Sequence, residues 1–211
     1  MTRILLVDDH PMMRRGMRQL IEMQEGLEVV AEAGSGEEAL TVVAMHQPDM
    51  ILMDLNMKGM DGILVVEALR EKGVDACILM ITVSDSESDV IAALRAGADG
   101  YLLKDLEPEE LIAALLQAER GQLVISPQLS RILACALREE KPQSNNLAAE
   151  LTGRERQIVG MIAAGSSNKQ IANALGITDA TVKVHVKNLL KKLNFRSRVE
   201  AAVWAVSNQI S

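Results

Sequence analysis

Met50-Ile51-Leu52-Met53-Asp54 is an unbroken apolar run that delivers one carboxylate at its end. Bounded by Pro48-Asp49 on one side and Gly59 on the other, it reads as a strand buried on both faces of a sheet. A second apolar run, Ile4-Leu5-Leu6-Val7, also ends in carboxylates, Asp8 and Asp9. In a parallel sheet the carboxyl ends of the strands meet at one edge, where α/β proteins bind ligands. Three acids gathered there repel one another, so the cluster is costly unless a cation lies among them. The three residues predict a Mg²⁺ pocket with Asp54 as its reactive member. Taken alone, Asp54 reads equally as a turn cap.

Outward from these runs, residues 3 to about 119 alternate short apolar strands with amphipathic helices. Strands are expected near 3–7, 28–33, 49–53, 76–82 and 100–103, and helices near 12–24, 35–46, 62–72, 86–96 and 107–120. Pro11, Gly26, Gly34, Pro48, Gly59, Gly73, Gly97 and Pro108 punctuate the joints. Five such units imply a flavodoxin-like, doubly wound parallel sheet of the α/β class with right-handed crossovers. A strand order of 2-1-3-4-5 sets strands 1 and 3 side by side and brings Asp8, Asp9 and Asp54 together. Two more strand ends aim at that edge: Ile78-Leu79-Met80-Ile81 runs into Thr82, and Tyr101-Leu102-Leu103 into Lys104. A hydroxyl and an ammonium there can bind phosphoryl oxygens, and the ammonium offsets the carboxylates.

The chain has 211 residues and is 48% hydrophobic but only 1% aromatic, so twelve Met and many aliphatic residues fill its cores. No apolar stretch approaches the roughly 20 residues of a membrane helix. A strand begins within three residues of Met1, which leaves no room for a signal peptide and makes the cytoplasm the expected compartment. Cys77 and Cys135 sit far apart in apolar runs and read as buried free thiols, with neither disulfide nor zinc spacing. The net charge of −7 is uneven. Residues 147–211 hold nine Lys and Arg against four Asp and Glu, a balance of +5 that leaves −12 for residues 1–146. An acidic half joined to a basic half implies two domains with different partners, the basic one suited to nucleic acid.

Three regions follow: 1–120, a connecting stretch 121–146, and 147–211. Within the connector, Ser126-Pro127 starts a predicted helix carrying Leu129, Ile132, Leu133, Ala136 and Leu137 at helical spacing, and residues 139–146 read as a polar flexible linker. The last region reads as four helices. Thr152-Gly153-Arg154-Glu155 has the form of a capping box and opens the first. Asn168 to Leu175 forms the second, Gly176 a tight turn, Asp179 to about Leu193 the third behind Thr178, and Arg198 to Ser207 the fourth. Helix, Gly-containing turn and helix is a helix-turn-helix pattern. Along the third helix Val182, Val186, Leu189, Leu190 and Leu193 make a core face, while Lys183, Lys187 and Lys191 repeat on another with Val184, His185 and Asn188. A basic stripe is often only a solvated face, but this one sits in a helix-turn-helix within the basic half. Lysines there pair with phosphates and guanine edges, and an exposed valine suits a thymine methyl.

The stretches "LLVDDHP", "DMILMDLNMKGMDG", "ITVSD" and "GADGYLLKD" resemble the receiver domain of two-component response regulators. Residues 151–205, "LTGRERQIVGMIAAG" onward, resemble the four-helix DNA-binding domain of the NarL/FixJ (LuxR-type) regulators, and within that family the likeness leans to its nitrate/nitrite-responding branch. The resemblance implies that Asp54 accepts a phosphoryl group from a sensor histidine kinase. It implies Mg²⁺ held by Asp8, Asp9, Asp54 and the backbone carbonyl of Asn56, a phosphoryl group bound by Thr82 and Lys104, and Tyr101 as the aromatic that reports it. On the DNA side it implies Lys183, Val184 and Lys187 at base edges, with Asn168, Lys169, Thr178, Thr181, His185 and Lys191 at the backbone. It also implies a homodimer on DNA through Val199, Ala202, Val203 and Val206, RNA polymerase as a further partner, and no membrane. Three departures stand out. Lys58 and Asp105 replace prolines common in receivers, so the turn at Lys58 gains freedom and no cis bond is expected before Asp105. Gly153 replaces a usual proline and implies a less firmly started helix.

Two rival readings share parts of this pattern. A haloacid-dehalogenase-like phosphatase also uses a strand-end Asp with Thr, Lys and Mg²⁺, but it wants a second Asp two residues on, where this chain has Asn56. A flavodoxin-like cofactor carrier suits the fold alone, and its flavin phosphate would be repelled by the acidic strand ends.

Overall fold

Side-chain alternation along the strands builds the first domain. In the computed structural model, which describes residues 1–84, 86–122, 124–125, 151–208 and 210, Ile4 and Leu6 of β1 (Thr2–Val7) point to one face of the sheet and Leu5 and Val7 to the other. The same split holds for β3 (Met50–Asp54) and β4 (Cys77–Thr82). Met50, Leu52, Leu79 and Ile81 join Ile4 and Leu6, packing against Met17 and Ile21 of α1 (Pro11–Glu22) and Leu111 and Leu115 of α5 (Pro108–Glu119). Ile51, Met53, Ile78 and Met80 face α2 (Gly36–His46), α3 (Gly62–Glu71) and α4 (Glu87–Ala96). A sheet apolar on both faces must be covered on both, which is the doubly wound arrangement.

Strand order is β2-β1-β3-β4-β5-β6, with β2 at Leu27–Ala33 and β5 at Gly100–Leu103, and all pairs are parallel. The expected order 2-1-3-4-5 is therefore present. The sixth strand, Val124–Ile125, extends the sheet beyond β5 in a stretch read from sequence as connector. Gly100 admits it: a Cβ there would lie 2.4 Å from the Val124 carbonyl oxygen. The predicted helix from Ser126, the linker 139–146 and Cys135 fall outside the described residues.

The four C-terminal helices are α6 (Gly153–Ala163), α7 (Asn168–Leu175), α8 (Asp179–Leu193) and α9 (Arg198–Ser207). Val182, Leu189 and Leu193 of α8 are buried with Ile158, Ile162, Ile171 and Trp204, and Val186 and Leu190 pack at the edge of this core. Gly153 does not leave α6 loosely started. Thr152 Oγ1 accepts from Glu155 N at 3.2 Å and Thr152 N donates to Glu155 Oε2 at 2.8 Å, so a capping box fixes the helix start where proline is usual. Among the described residues no peptide bond is cis and no helix is long and apolar enough to cross a membrane.

Candidate functional site: an acidic pocket at the strand ends and a basic helix

Strand register assembles the pocket. Val7 pairs with Met53, so Asp8 and Asp54 leave neighbouring strands at one level; Asp54 pairs with Ile81 and Thr82 with Leu103, so Thr82 follows one step further along and Lys104 one step beyond that. Gly62 lets α3 start beside this edge, since a Cβ there would lie 2.1 Å from the Asp54 carbonyl oxygen. Asp8 and Asp54 are buried, and Lys104 Nζ bridges them at 2.7 Å from Asp8 Oδ2 and 2.9 Å from Asp54 Oδ2. Burial pushes the Asp54 carboxyl above its ordinary range, with the Asp8 charge adding to it, and the hydrogen bond and charge of Lys104 only partly offset this. Burial works against the Lys104 ammonium too, but its hydrogen bonds to Asp8 and Asp54 outweigh that and hold its pKa up.

Ligand atoms of Asp8, Asp9, His10 and Asp54 all lie within 4.8 Å of one another. Asp9 Oδ1 is shut off from solvent and makes no hydrogen bond, although His10 Nδ1 lies 2.8 Å away. A buried carboxylate oxygen without a donor, beside two further carboxylates, is a donor set that fits a divalent cation. Asn56 contributes more than its backbone: Nδ2 donates to Thr82 Oγ1 at 3.3 Å, and its N–H approaches Asp54 Oδ1 at 3.4 Å. Ser84 N also donates to Thr82 Oγ1, at 3.1 Å, so both lone pairs of that hydroxyl are engaged and its O–H remains to be donated. Tyr101 is fully buried and its hydroxyl donates to the Ser84 carbonyl at 3.1 Å.

Sequence reasoning missed three groups around the pocket: His10, the Asn56 side chain and Arg14. Arg14 Nη1 donates to the Asp8 carbonyl at 2.5 Å while Nε pairs with Glu32 at 3.2 Å, tying the end of β1 to β2. His10 stands in "LLVDDHP" beside two acids, but the path of the loop and not the spacing turns its ring toward them. Arg14 lies one helical turn further on, and nothing in its spacing announces the contact.

On α8 the structure brings Lys183, Val184, Lys187 and Lys191 to the surface, with Thr178 and Thr181 exposed at its start and His185 half-buried. Thr178 caps the helix by accepting from Thr181 N at 3.2 Å, so both threonines sit at one terminus. Lys169 is exposed, but Asn168 is buried, its Oδ1 accepting from Arg198 Nη1 at 2.6 Å and its N–H donating to the Arg120 carbonyl at 3.0 Å. Asn168 therefore stands at the seam between the halves rather than on an open face.

That seam continues along α9 and α8. Val199 is buried in the apolar cluster of α3, α4 and β4, and Val203 packs against the same cluster. Ala202 turns to the C-terminal core, and Val206 is 57% exposed. Of the four proposed dimer residues, only Val206 is open. Lys187 forms an ion pair with Asp75, and Arg196 lies 3.5 Å from Glu67. An exposed ion pair thus ties Lys187 of the basic stripe to the acidic half.

The family described as "Response regulator receiver domain" matches residues 4–116, and the one described as "Bacterial regulatory proteins, luxR family" matches residues 149–205. The Nitrate/nitrite response regulator protein NarL of Escherichia coli (strain K12) is 50% identical over 207 residues, which cover 98% of this chain and 96% of that protein. NarP of the same strain is 49% identical over 201 residues, 95% and 93% of the two chains. The crystal structure of a LuxR-family two-component response regulator from Aurantimonas sp. SI85-9A1 superposes with a TM-score of 0.61 at 37% identity, over 65% of this chain and 99% of that one. With an acidic strand-end pocket in its first domain and a helix-turn-helix in its second, this chain belongs to the two-component response regulators of the LuxR type, a family of transcription regulators and not of enzymes.

Proposed function

We propose that Asp54 is the phosphoacceptor and that its phosphorylation by a sensor histidine kinase controls DNA binding by α8. The observation that carries this reading is the convergence of Asp8, Asp9, Asp54, Thr82 and Lys104 on one sheet edge. An Asp54 carboxylate oxygen bonds to phosphorus as the P–N bond to the donor imidazole breaks and the imidazole leaves. Lys104 Nζ and the Thr82 hydroxyl are placed to take the phosphoryl oxygens. Asp8, Asp9, Asp54 and the Asn56 carbonyl would hold Mg²⁺, which would supply charge neutralisation in such a transfer. Asn56 stands where a haloacid-dehalogenase-like phosphatase needs its second Asp, so this chain lacks the acid/base group of that enzyme.

The output is steric. When Thr82 turns toward a phosphoryl group it gives up its bonds from Ser84 and Asn56, and Tyr101 follows through its bond to the Ser84 carbonyl. That rearranges the start of α4, the element on which Val199 and Val203 rest. Release frees Lys187 for DNA, where Lys183, Val184 and Lys187 read base edges and Lys169, Thr178, Thr181, His185 and Lys191 approach the backbone. Freed α9 faces carrying Val199, Ala202, Val203 and Val206 pair two copies on related half-sites, because protein and DNA symmetry match. The likeness to NarL and NarP supports nitrate/nitrite-responsive genes as targets, and the same reading takes the protein as cytoplasmic with RNA polymerase as its downstream partner.

Mass spectrometry of the intact protein after incubation with acetyl phosphate and Mg²⁺ tests the acceptor. One phosphoryl group is expected, on Asp54, and none on Asp54→Ala; labelling of another side chain would refute the assignment.

A further inference from the structure

His10 occupies an unusual position for the first residue before a helix. It is the N-cap of α1, yet its side chain makes no capping hydrogen bond. Instead the imidazole, 70% exposed, turns back over the strand ends, with Nδ1 2.8 Å from Asp9 Oδ1 and hydrogen-bonded to Asp8 Oδ1 at 3.1 Å. The turn is fixed by the backbone. His10 N donates to Asp8 Oδ1 at 2.7 Å, and the following Pro11 confines His10 to extended backbone, observed at φ −97° and ψ 106°. The contact with Asp9 lacks hydrogen-bond geometry and leaves that buried oxygen without a donor. Ligand atoms in neighbouring positions around one ion, each bonded at 2.0–2.1 Å, lie about 3 Å apart. That is the spacing of Nδ1 from both carboxylates.

We propose that His10 is a metal ligand and that it opens this pocket to first-row transition ions of the Zn²⁺ and Co²⁺ class, which bind in competition with Mg²⁺. The inference rests on the reading that the pocket holds a divalent cation. Carboxylate and carbonyl oxygens alone suit Mg²⁺, a hard ion that keeps several waters; an imidazole nitrogen adds affinity for Zn²⁺ and Co²⁺ and little for Mg²⁺. Such an ion would take the place of Mg²⁺ beside Asp54, so it competes with the ion that assists phosphoryl transfer. Availability of a transition metal thereby becomes a second input to the same switch. The opposing account is a ring that simply hydrogen-bonds to Asp8. The two accounts predict different outcomes, because loss of that bond alone does not weaken metal binding.

The test titrates the full-length protein and its His10→Ala variant with Co²⁺, followed by visible absorption, and then displaces Co²⁺ with Mg²⁺. Zn²⁺ shifts of the ring nitrogens in NMR distinguish His10 from His46 on α2 and His185 on α8. Loss of a ligand is expected to weaken Co²⁺ binding at least about tenfold, as lost metal-site partners do, with Mg²⁺ affinity within about twofold of the original. A Zn²⁺-dependent shift of the His10 ring is expected alongside. Unchanged or tighter Co²⁺ binding in His10→Ala, with Mg²⁺ still bound, overturns the ligand role and leaves the Mg²⁺ pocket standing. Failure of the unaltered protein to bind either ion overturns both.

Discussion

Asp54 is held at a cost. Its neighbours Lys104 and Asp8 pull in opposite directions, and burial tips the balance so that its carboxyl is raised above the usual range. A folded-state pKa above the unfolded one favours the protonated form, so the ionised carboxylate destabilises the fold at neutral pH. That penalty fades as pH falls through the raised value and is gone below the unfolded one. Asp54→Asn is therefore expected to raise the melting temperature at pH 7 in a chelator, with the gain vanishing toward pH 4 and reversing when Mg²⁺ stabilises the unsubstituted protein alone. Differential scanning calorimetry across pH checks it; a gain independent of pH would contradict the charge argument. The acids, Thr82 and Lys104 were legible because each ends an apolar run, and runs in a parallel sheet end together. His10, Arg14 and the Asn56 amide were not, because loop path and rotamer decide where they point. Asn168, which the family resemblance places near the DNA backbone, is held by Arg198 and the Arg120 carbonyl in a seam between distant parts of the chain.

Elements were legible where apolar period and punctuation agreed, as in the five βα units and in α7, α8 and α9, whose ends carry Ser167 and Gly176, Thr178 and Asn194, and Ser197. The short β6 was not, since two residues carry no period. It nevertheless joins the pocket to the second domain: Tyr101 pairs with Ile125 on the strand that opens the connector. Gly100→Ala sets a Cβ against the Val124 carbonyl and is expected to detach β6 at a cost of about 1–3 kcal/mol. Urea unfolding gives the cost, and faster amide exchange at residues 124 and 125 reports the detachment. In the second domain a capping box fixes the start of α6 where proline is usual. Thr152→Ala is expected to cost about 1 kcal/mol, again in urea.

At the scale of the whole molecule, the contact between the domains among the described residues includes the Val199 and Val203 plug, the Asn168–Arg120 hydrogen bond and two exposed ion pairs. Burying a valine such as Val199 contributes about 1.5–3 kcal/mol, whereas pairs as exposed as Lys187–Asp75 and Arg196–Glu67 contribute about 0–1 kcal/mol each and are screened by salt. The plug sets the strength of closure, and the pairs set its register over α8. A contact of this size is within reach of one phosphorylation event. Asp75→Lys with Glu67→Lys faces like charges across the seam and is expected to raise the DNA affinity of the unphosphorylated protein roughly tenfold, about 1.4 kcal/mol, in fluorescence anisotropy with the salt concentration fixed. The central claim is that a phosphoryl group on Asp54 releases the helix that reads DNA. Its most direct test compares operator affinity of the full-length protein before and after acetyl phosphate treatment, with Asp54→Ala alongside. At least a tenfold gain that disappears in Asp54→Ala is predicted; equal affinities before and after confirmed phosphorylation of Asp54 would contradict it.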